Sequence, residues 1–281
     1  MMNKLVSFLI MLFGCFPVIC GRQISYTPQD SILVTGLLKE DIPAHAQTMI
    51  YFGEKFCGTP YTAATLEKGP HEHLVINERE LDCTTFVENT LALALTYNEE
   101  KYNFADFARN LQLIRYRGGK IENYPSRLHY FSDWIADNTE KKIVAEITCT
   151  LFPVSTKKDY FFMSRNYERY PALRNNTNAI EKIRERENKL SRQYFCYIPK
   201  DSLSGSRLAQ INDGDIIAIT TDIDGLDISH VGIAYKIKGS VHLLHASQKQ
   251  GVVIIDTLPL PDYLQGHKRQ TGIRVIRPLF K

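Results

Sequence analysis

Leu81-Asp82-Cys83-Thr84-Thr85-Phe86-Val87 places a cysteine where a helix should begin. Asp82 is an N-cap residue type, and Phe86, Val87, Leu91 and Leu95 then recur at helical spacing, so a helix is expected from Cys83 to about Tyr97. A thiol in that first turn feels the positive end of the helix dipole, which favours its thiolate. Far downstream, Asp227-Ile228-Ser229-His230-Val231-Gly232-Ile233-Ala234-Tyr235 offers a histidine in a strand-like run. A helix-opening cysteine and a later strand histidine make a candidate nucleophile and base.

Around this pair the chain divides by texture. Residues 28–50 predict a helix interrupted at Asp41–Pro43. Helices are further expected over Asn103–Ile114, Leu128–Asp137 and the charged stretch Asn175–Tyr194, whose alternating charges suit a solvated face. Arg117-Gly118-Gly119 is a stop signal. After Pro199 come short β-rich runs: Asp215–Thr220, Val231–Ile237, Val241–His245, Val252–Asp256 and Ile273–Arg277. Helices first and strands afterwards argue an α+β class with a small antiparallel sheet. The sheet is expected within about 200–281, and the helical insertion within about 98–199.

The hairpin between Val231–Ile237 and Val241–His245 decides whether two histidines meet. A four-residue loop, Lys236–Gly239, sets His230 opposite His245. A two-residue loop, Lys238-Gly239, sets Gly232 opposite His245 with His230 diagonal to it. Either even loop leaves both rings on one face, because strand side chains alternate with period two. His245 would then orient His230, the third role in a nucleophile–base–orienter set.

Lys4 followed by the uncharged Leu5–Ile19 is too short for a membrane span and suits a secretory signal over 1–20, leaving one catalytic domain over 21–281. A cut after Cys20 is one processing route. Lipoprotein processing at Cys15, within Leu12-Phe13-Gly14-Cys15, is the other, and would give a lipid anchor. Export to the periplasm or cell envelope follows either way. Four cysteines remain, of which Cys57, Cys149 and Cys196 are expected to be mostly buried small side chains, with at most one disulfide among them. A net charge of +3 without a Lys/Arg run gives no support for nucleic-acid binding. His71-Glu72-His73 lacks a third ligand at useful spacing, so neither metal nor cofactor is assigned.

The ordered set Pro60-Tyr61, Asp82-Cys83-Thr84-Thr85-Phe86-Val87, Gly214-Asp215, His230-Val231-Gly232 and His245 resembles the NlpC-type cell-wall cysteine peptidases of the papain-like superfamily. Arg127–Ile135, Gly225–His230 and His245-Ala246-Ser247 extend the resemblance to the N-acetylmuramoyl-L-alanine amidase-like subfamily. The resemblance implies a papain-like core and hydrolysis of the amide between N-acetylmuramic acid and L-Ala in muropeptides. It implies Cys83 as nucleophile, His230 as base and His245 as orienter, with Tyr61, Asp82, Thr84 and Ser229 lining the substrate pocket. The 98–199 insertion would narrow that pocket. Two departures stand out: Thr84 replaces the Ser common after the nucleophile, and Gln248 follows where another small polar residue is expected. A D-γ-glutamyl-diamino acid endopeptidase of the same fold and a non-catalytic envelope binding protein are the alternatives.

Overall fold

The computed structural model describes residues 24–280 apart from 44–45, 68, 70 and 204. The expected signal segment, its cleavage after Cys20 and the anchor at Cys15 lie outside the described residues.

Seven strands form an antiparallel sheet: β1 (Val144–Glu146), β2 (Ile198–Pro199), β3 (Ile216–Thr221), β4 (Ile228–Ile237), β5 (Ser240–Ser247), β6 (Val252–Ile255) and β7 (Gln270–Pro278). Their spatial order is β6-β5-β4-β3-β7-β1, with β2 also paired to β7. The Cys83–Asn98 helix lies on one face. Its Phe86, Val87, Leu91 and Ala94 share a core with Ile216, Ala218, Val231, Ile233 and Leu244. Ile217, Ile219, Leu243, Ile273 and Val275 fill the opposite face against Leu260 and Leu264. Each such aliphatic or aromatic side chain contributes about 1.5–3 kcal/mol on burial, so the helix is held to the sheet by its apolar stripe.

The helices begin where their caps predict. Thr27 and Asp30 make a capping box for Pro28–Leu38, and Asn103 caps Phe104–Arg115 through the Asp106 N–H. The third helix starts at Phe131, three residues later than its periodicity suggested.

Residues 98–199 are more than a lid of helices. They supply β1, which pairs with β7, and a third apolar cluster around Tyr130, Tyr160, Met163, Ile183 and Leu190. The charged helix, observed as Thr177–Ser191, is not solvated all round: Glu187 is buried and accepts hydrogen bonds from Tyr130 Oη at 2.6 Å and the Ser164 N–H at 3.0 Å. Cys149 and Cys196 form a disulfide, and Cys57 is exposed. The expectation that these three side chains are mostly buried is corrected, since only Cys196 is, while the single disulfide falls within the limit of one. The two bonded cysteines are neighbours through the pairing of Ser155 with Cys196, a contact between distant segments that spacing alone does not reveal.

Candidate active site

Asp82 has extended backbone geometry and ends the loop before the helix. Its Oδ1 accepts from the Thr85 N–H and from Thr85 Oγ1, both at 2.8 Å, and Thr85 Oγ1 accepts in return from the Asp82 N–H at 2.9 Å. This reciprocal cap, worth about 1 kcal/mol, fixes Cys83 as the first helical residue. One Asp82 oxygen is thereby committed to the helix.

Cys83 keeps partial solvent access, yet its sulfur sits deep among its neighbours. Burial pushes the thiol up to about 12, the Asp82 carboxylate pushes the same way, and hydrogen bonds from the Val231 N–H, the Thr84 side chain and the Thr84 N–H oppose them. The sequence suggested a dipole-stabilised thiolate. A helix terminus supplies only about 0.3–1 kcal/mol when exposed, and here the capping carboxylate sets a negative charge beside it. The Cys83 thiol therefore rests neutral.

The candidate base lies on the β4–β5 hairpin. Lys238 and Gly239 both have positive φ, 48° and 86°, which makes the connection a two-residue turn of the type suited to the strand twist. The pairs run from Ile237↔Ser240 to Ile233↔Leu244. Continued by one step, that register sets Gly232 against His245, the second of the two arrangements expected, with His230 diagonal to it. A Cβ on Gly232 would sit 3.0 Å from the His245 Cβ, so only glycine leaves that ring undisturbed. The pairing ends at Ile233↔Leu244, and the Val231 N–H beyond it is directed at the Cys83 sulfur. A register shift opposite Ile219 and Thr220 leaves Ser229 as the extra residue and re-aims His230.

His230 Nε2 and His245 Nδ1 lie 2.6 Å apart with their rings nearly perpendicular at 87°. Nε2 being taken, Nδ1 is the His230 nitrogen left for chemistry. Burial depresses His230 to about 3, with smaller contributions from His245 and His267. Burial likewise lowers His245 to about 4, against the pull of Asp256. Both imidazoles rest neutral.

The expected pocket residues take different positions. Tyr61 is half-buried, and its hydroxyl is pushed up to about 12 by burial and by the nearby Cys83 and Asp82. Thr84 hydrogen-bonds the Cys83 sulfur. Ser229 sits in the bulge, where its hydroxyl makes only a long 3.4 Å contact to the Ile219 carbonyl. Four residues not singled out from sequence surround the pair. Asp256 Oδ2 lies 3.6 Å from His245 Nε2, Tyr263 meets the His245 ring edge-on with centroids 5.6 Å apart, and His267 and Gln270 adjoin Tyr263. Asp256 had a signal: Ile254 pairs with His245, and the residue two further along shares its face.

Elsewhere, Glu72 accepts from Tyr116 Oη at 2.7 Å and lies 3.2 Å from Arg127, while His73 Nδ1 donates to the His71 carbonyl. Among the described residues no three His, Cys, Asp or Glu side chains converge to hold a metal. A cavity of about 280 Å³ lined by Glu67, Glu72, Tyr124 and Arg127 touches none of Cys83, His230 and His245.

A thiol at the start of a helix packed against the strands that carry a hydrogen-bonded imidazole pair is a candidate for nucleophilic acyl transfer. Residues 51–273 match the model of the AmiA-like family, described as N-acetylmuramoyl-L-alanine amidase-like, and the chain belongs to that family. Among solved structures, one from Bacteroides fragilis, provisionally named a xylanase, is 46% identical with a TM-score of 0.77, over 81% of this chain and 99% of that one. An N-acetylmuramoyl-L-alanine amidase from Bacteroides uniformis is 40% identical with a TM-score of 0.79, over 83% and 99%. A Legionella pneumophila protein of the DUF1460 family is 24% identical with a TM-score of 0.66, over 89% and 93%, a likeness of fold alone. None of the curated proteins matches.

Proposed function

We propose that the protein is an exported cysteine amidase that hydrolyses the bond between N-acetylmuramic acid and L-Ala in peptidoglycan fragments. The observation that carries this is the 2.6 Å imidazole pair on the two strands against which the Cys83 helix packs, in a chain of the amidase-like family. The amidase name of the Bacteroides uniformis relative supplies the bond. A helix carrying the nucleophile against an antiparallel sheet carrying both histidines also supports a papain-like core of the NlpC type.

In this mechanism the Cys83 sulfur attacks the lactyl carbonyl carbon as its proton passes to His230 Nδ1. The carbonyl oxygen gathers charge, for which the N–H groups at the helix start are the available donors. His230 then protonates the L-Ala nitrogen as the C–N bond breaks, leaving a thioester. Water, deprotonated by His230, releases the acid and regenerates the thiol. Because thiol and imidazole both rest neutral, proton transfer accompanies attack rather than preceding it.

Export is supported by the Cys149–Cys196 disulfide, since such bonds persist in oxidising compartments. A glycosidase reading, prompted by the name of the Bacteroides fragilis relative, has less support. Glycoside hydrolysis generally uses two carboxylates flanking the bond, whereas Asp82 is engaged in the cap and Asp256 lies behind His245.

Purified muropeptides incubated with wild type and with Cys83→Ala, followed by mass spectrometry, test the proposal. Wild type should release intact stem peptide with a free L-Ala amine, and Cys83→Ala should not. Cleavage inside the stem would select the endopeptidase, and equal turnover by Cys83→Ala would end the cysteine mechanism.

A further inference from the structure

One proton lies between His230 Nε2 and His245 Nδ1, and its side decides what His230 can do. If it sits on His230 Nε2, a neutral His230 has a bare Nδ1 that can accept the Cys83 proton, and a neutral His245 carries its own proton on Nε2. If it sits on His245 Nδ1, neutral His230 carries its proton on Nδ1 and has nothing to offer the thiol. The two arrangements differ by the tautomer of both rings. Geometry at the pair itself does not choose between them.

We propose that Asp256 makes that choice: it is a positioning residue that holds the His245 proton on Nε2 and so leaves His230 Nδ1 free to act as base. This rests on the cysteine-amidase reading above. His245 is 1% exposed, and its Nε2 has no hydrogen-bond partner among the described residues. Asp256 Oδ2 is the carboxylate oxygen it faces, at 3.6 Å. That is too long for a direct hydrogen bond, but a carboxylate at this range attracts an N–H and repels a lone pair, and catalytic contacts commonly tighten when substrate binds. The Asp256 side chain is itself held: its Oδ1 accepts from the Leu258 N–H at 2.8 Å, and its backbone carbonyl accepts from His242 Nδ1 at 3.0 Å. Tyr263 walls the other side of the His245 ring.

The Leu258 contact makes the sharpest variant Asp256→Asn. The Leu258 N–H demands an acceptor, so the amide oxygen takes the Oδ1 position and the NH₂ group turns towards His245 Nε2. That nitrogen must then accept, its proton moves to Nδ1, and His230 is left with its own proton facing Cys83. Asp256→Ala imposes no tautomer and leaves both populated. A merely structural Asp256 would give the opposite ranking, because the isosteric Asn is gentler than truncation.

The test uses the full chain with ¹⁵N-labelled histidine, reading the ring tautomers by NMR and kcat on purified muropeptides. Wild type should show His245 protonated on Nε2, Asp256→Ala a mixture with kcat about tenfold lower, and Asp256→Asn the inverted tautomer with kcat lower by about a hundredfold or more. KM should change little in either. A wild-type tautomer retained in Asp256→Ala, activity of Asp256→Asn within threefold of wild type, or a greater loss in Ala than in Asn would each overturn the proposal. The tautomers are read without substrate. Loss of the amidase reading, seen in the Cys83→Ala comparison, is therefore separable from loss of this one.

Discussion

The Cys83–Asn98 helix carries two buried ionisable groups that meet desolvation in opposite ways. At its start no cation among the described residues acts on Cys83, and like His230 and His245 it is held neutral. Five residues on, Glu88 is more fully buried and burial raises its carboxyl too, but Arg115 opposes that rise with Nε 2.6 Å away, and the same guanidinium donates to the Val75 carbonyl at 2.6 Å. Arg127 with Glu67 and Glu72, and Arg274 with Glu146, repeat the paired pattern. Burial disfavours a charge wherever it occurs. The scaffold answers with a fixed partner, and the candidate site answers by surrendering the charge. A neutral thiol facing neutral imidazoles retains mobile protons, which a permanent ion pair would not.

The largest expected effect breaks a scaffold pair. Arg115→Ala leaves Glu88, with its side chain 2% exposed, without its cation and should cost about 3–5 kcal/mol in urea unfolding. Replacing both partners with apolar side chains of similar volume should cost much less. If the single substitution costs under about 1 kcal/mol, the pair is not what holds this part of the helix, and the contrast drawn above fails.

The same contrast explains what was legible in the sequence. Cys83, His230 and His245 could be read because their placement depends on local signals: a capping aspartate, an apolar repeat, and a lysine–glycine turn that fixes register. The paired charges could not. Arg115 ends its helix and looks like a surface residue until Glu88, 27 positions away, is set against it. Glu187 sits in a run of alternating charges and is singled out by Tyr130 and the Ser164 N–H, both distant in sequence. The strand Val144–Glu146 is three residues long and acquires its meaning from β7, more than a hundred residues later. Asp256 falls between these cases. The strand before it was read to within one residue, Val252–Ile255 against an expected end at Asp256, but its relation to His245 emerges only when a second hairpin register is followed through.

A smaller effect is expected at the hairpin itself. Gly232→Ala puts a methyl group 3.0 Å from the His245 Cβ and 3.1 Å from the Leu244 carbonyl oxygen, so His245 must give by a few tenths of an ångström. The scaffold should tolerate that shift, whereas a 2.6 Å hydrogen bond at its tip should not. The expected outcome is about a tenfold fall in kcat, equivalent to about 1.4 kcal/mol in the barrier, with a melting temperature near that of wild type. A large loss of stability with kcat unchanged would mean that the glycine serves packing rather than ring position.

The gentlest perturbation is pH. His230 and His245 are depressed to about 3 and about 4, and the Cys83 thiol is raised to about 12. Across the ordinary imidazole and thiol range the pair therefore stays in its neutral form, and kcat/KM should be flat from about pH 5.5 to 8.5, with no limb near the unperturbed imidazole value of about 6.5. Stability carries the titration instead. Below about 6.5 an unfolded histidine binds a proton that the folded one refuses, so the two histidines' contribution is fully present above that value and is lost as pH falls towards 4 and 3. Cys83 acts at the other end, its contribution declining as pH rises from about 9 towards 12. A rate profile with a clear ionisation near 6.5 would show that the imidazoles charge in the folded enzyme. The site would then be an ion pair of the scaffold's kind, and the difference between the two ends of the helix would disappear.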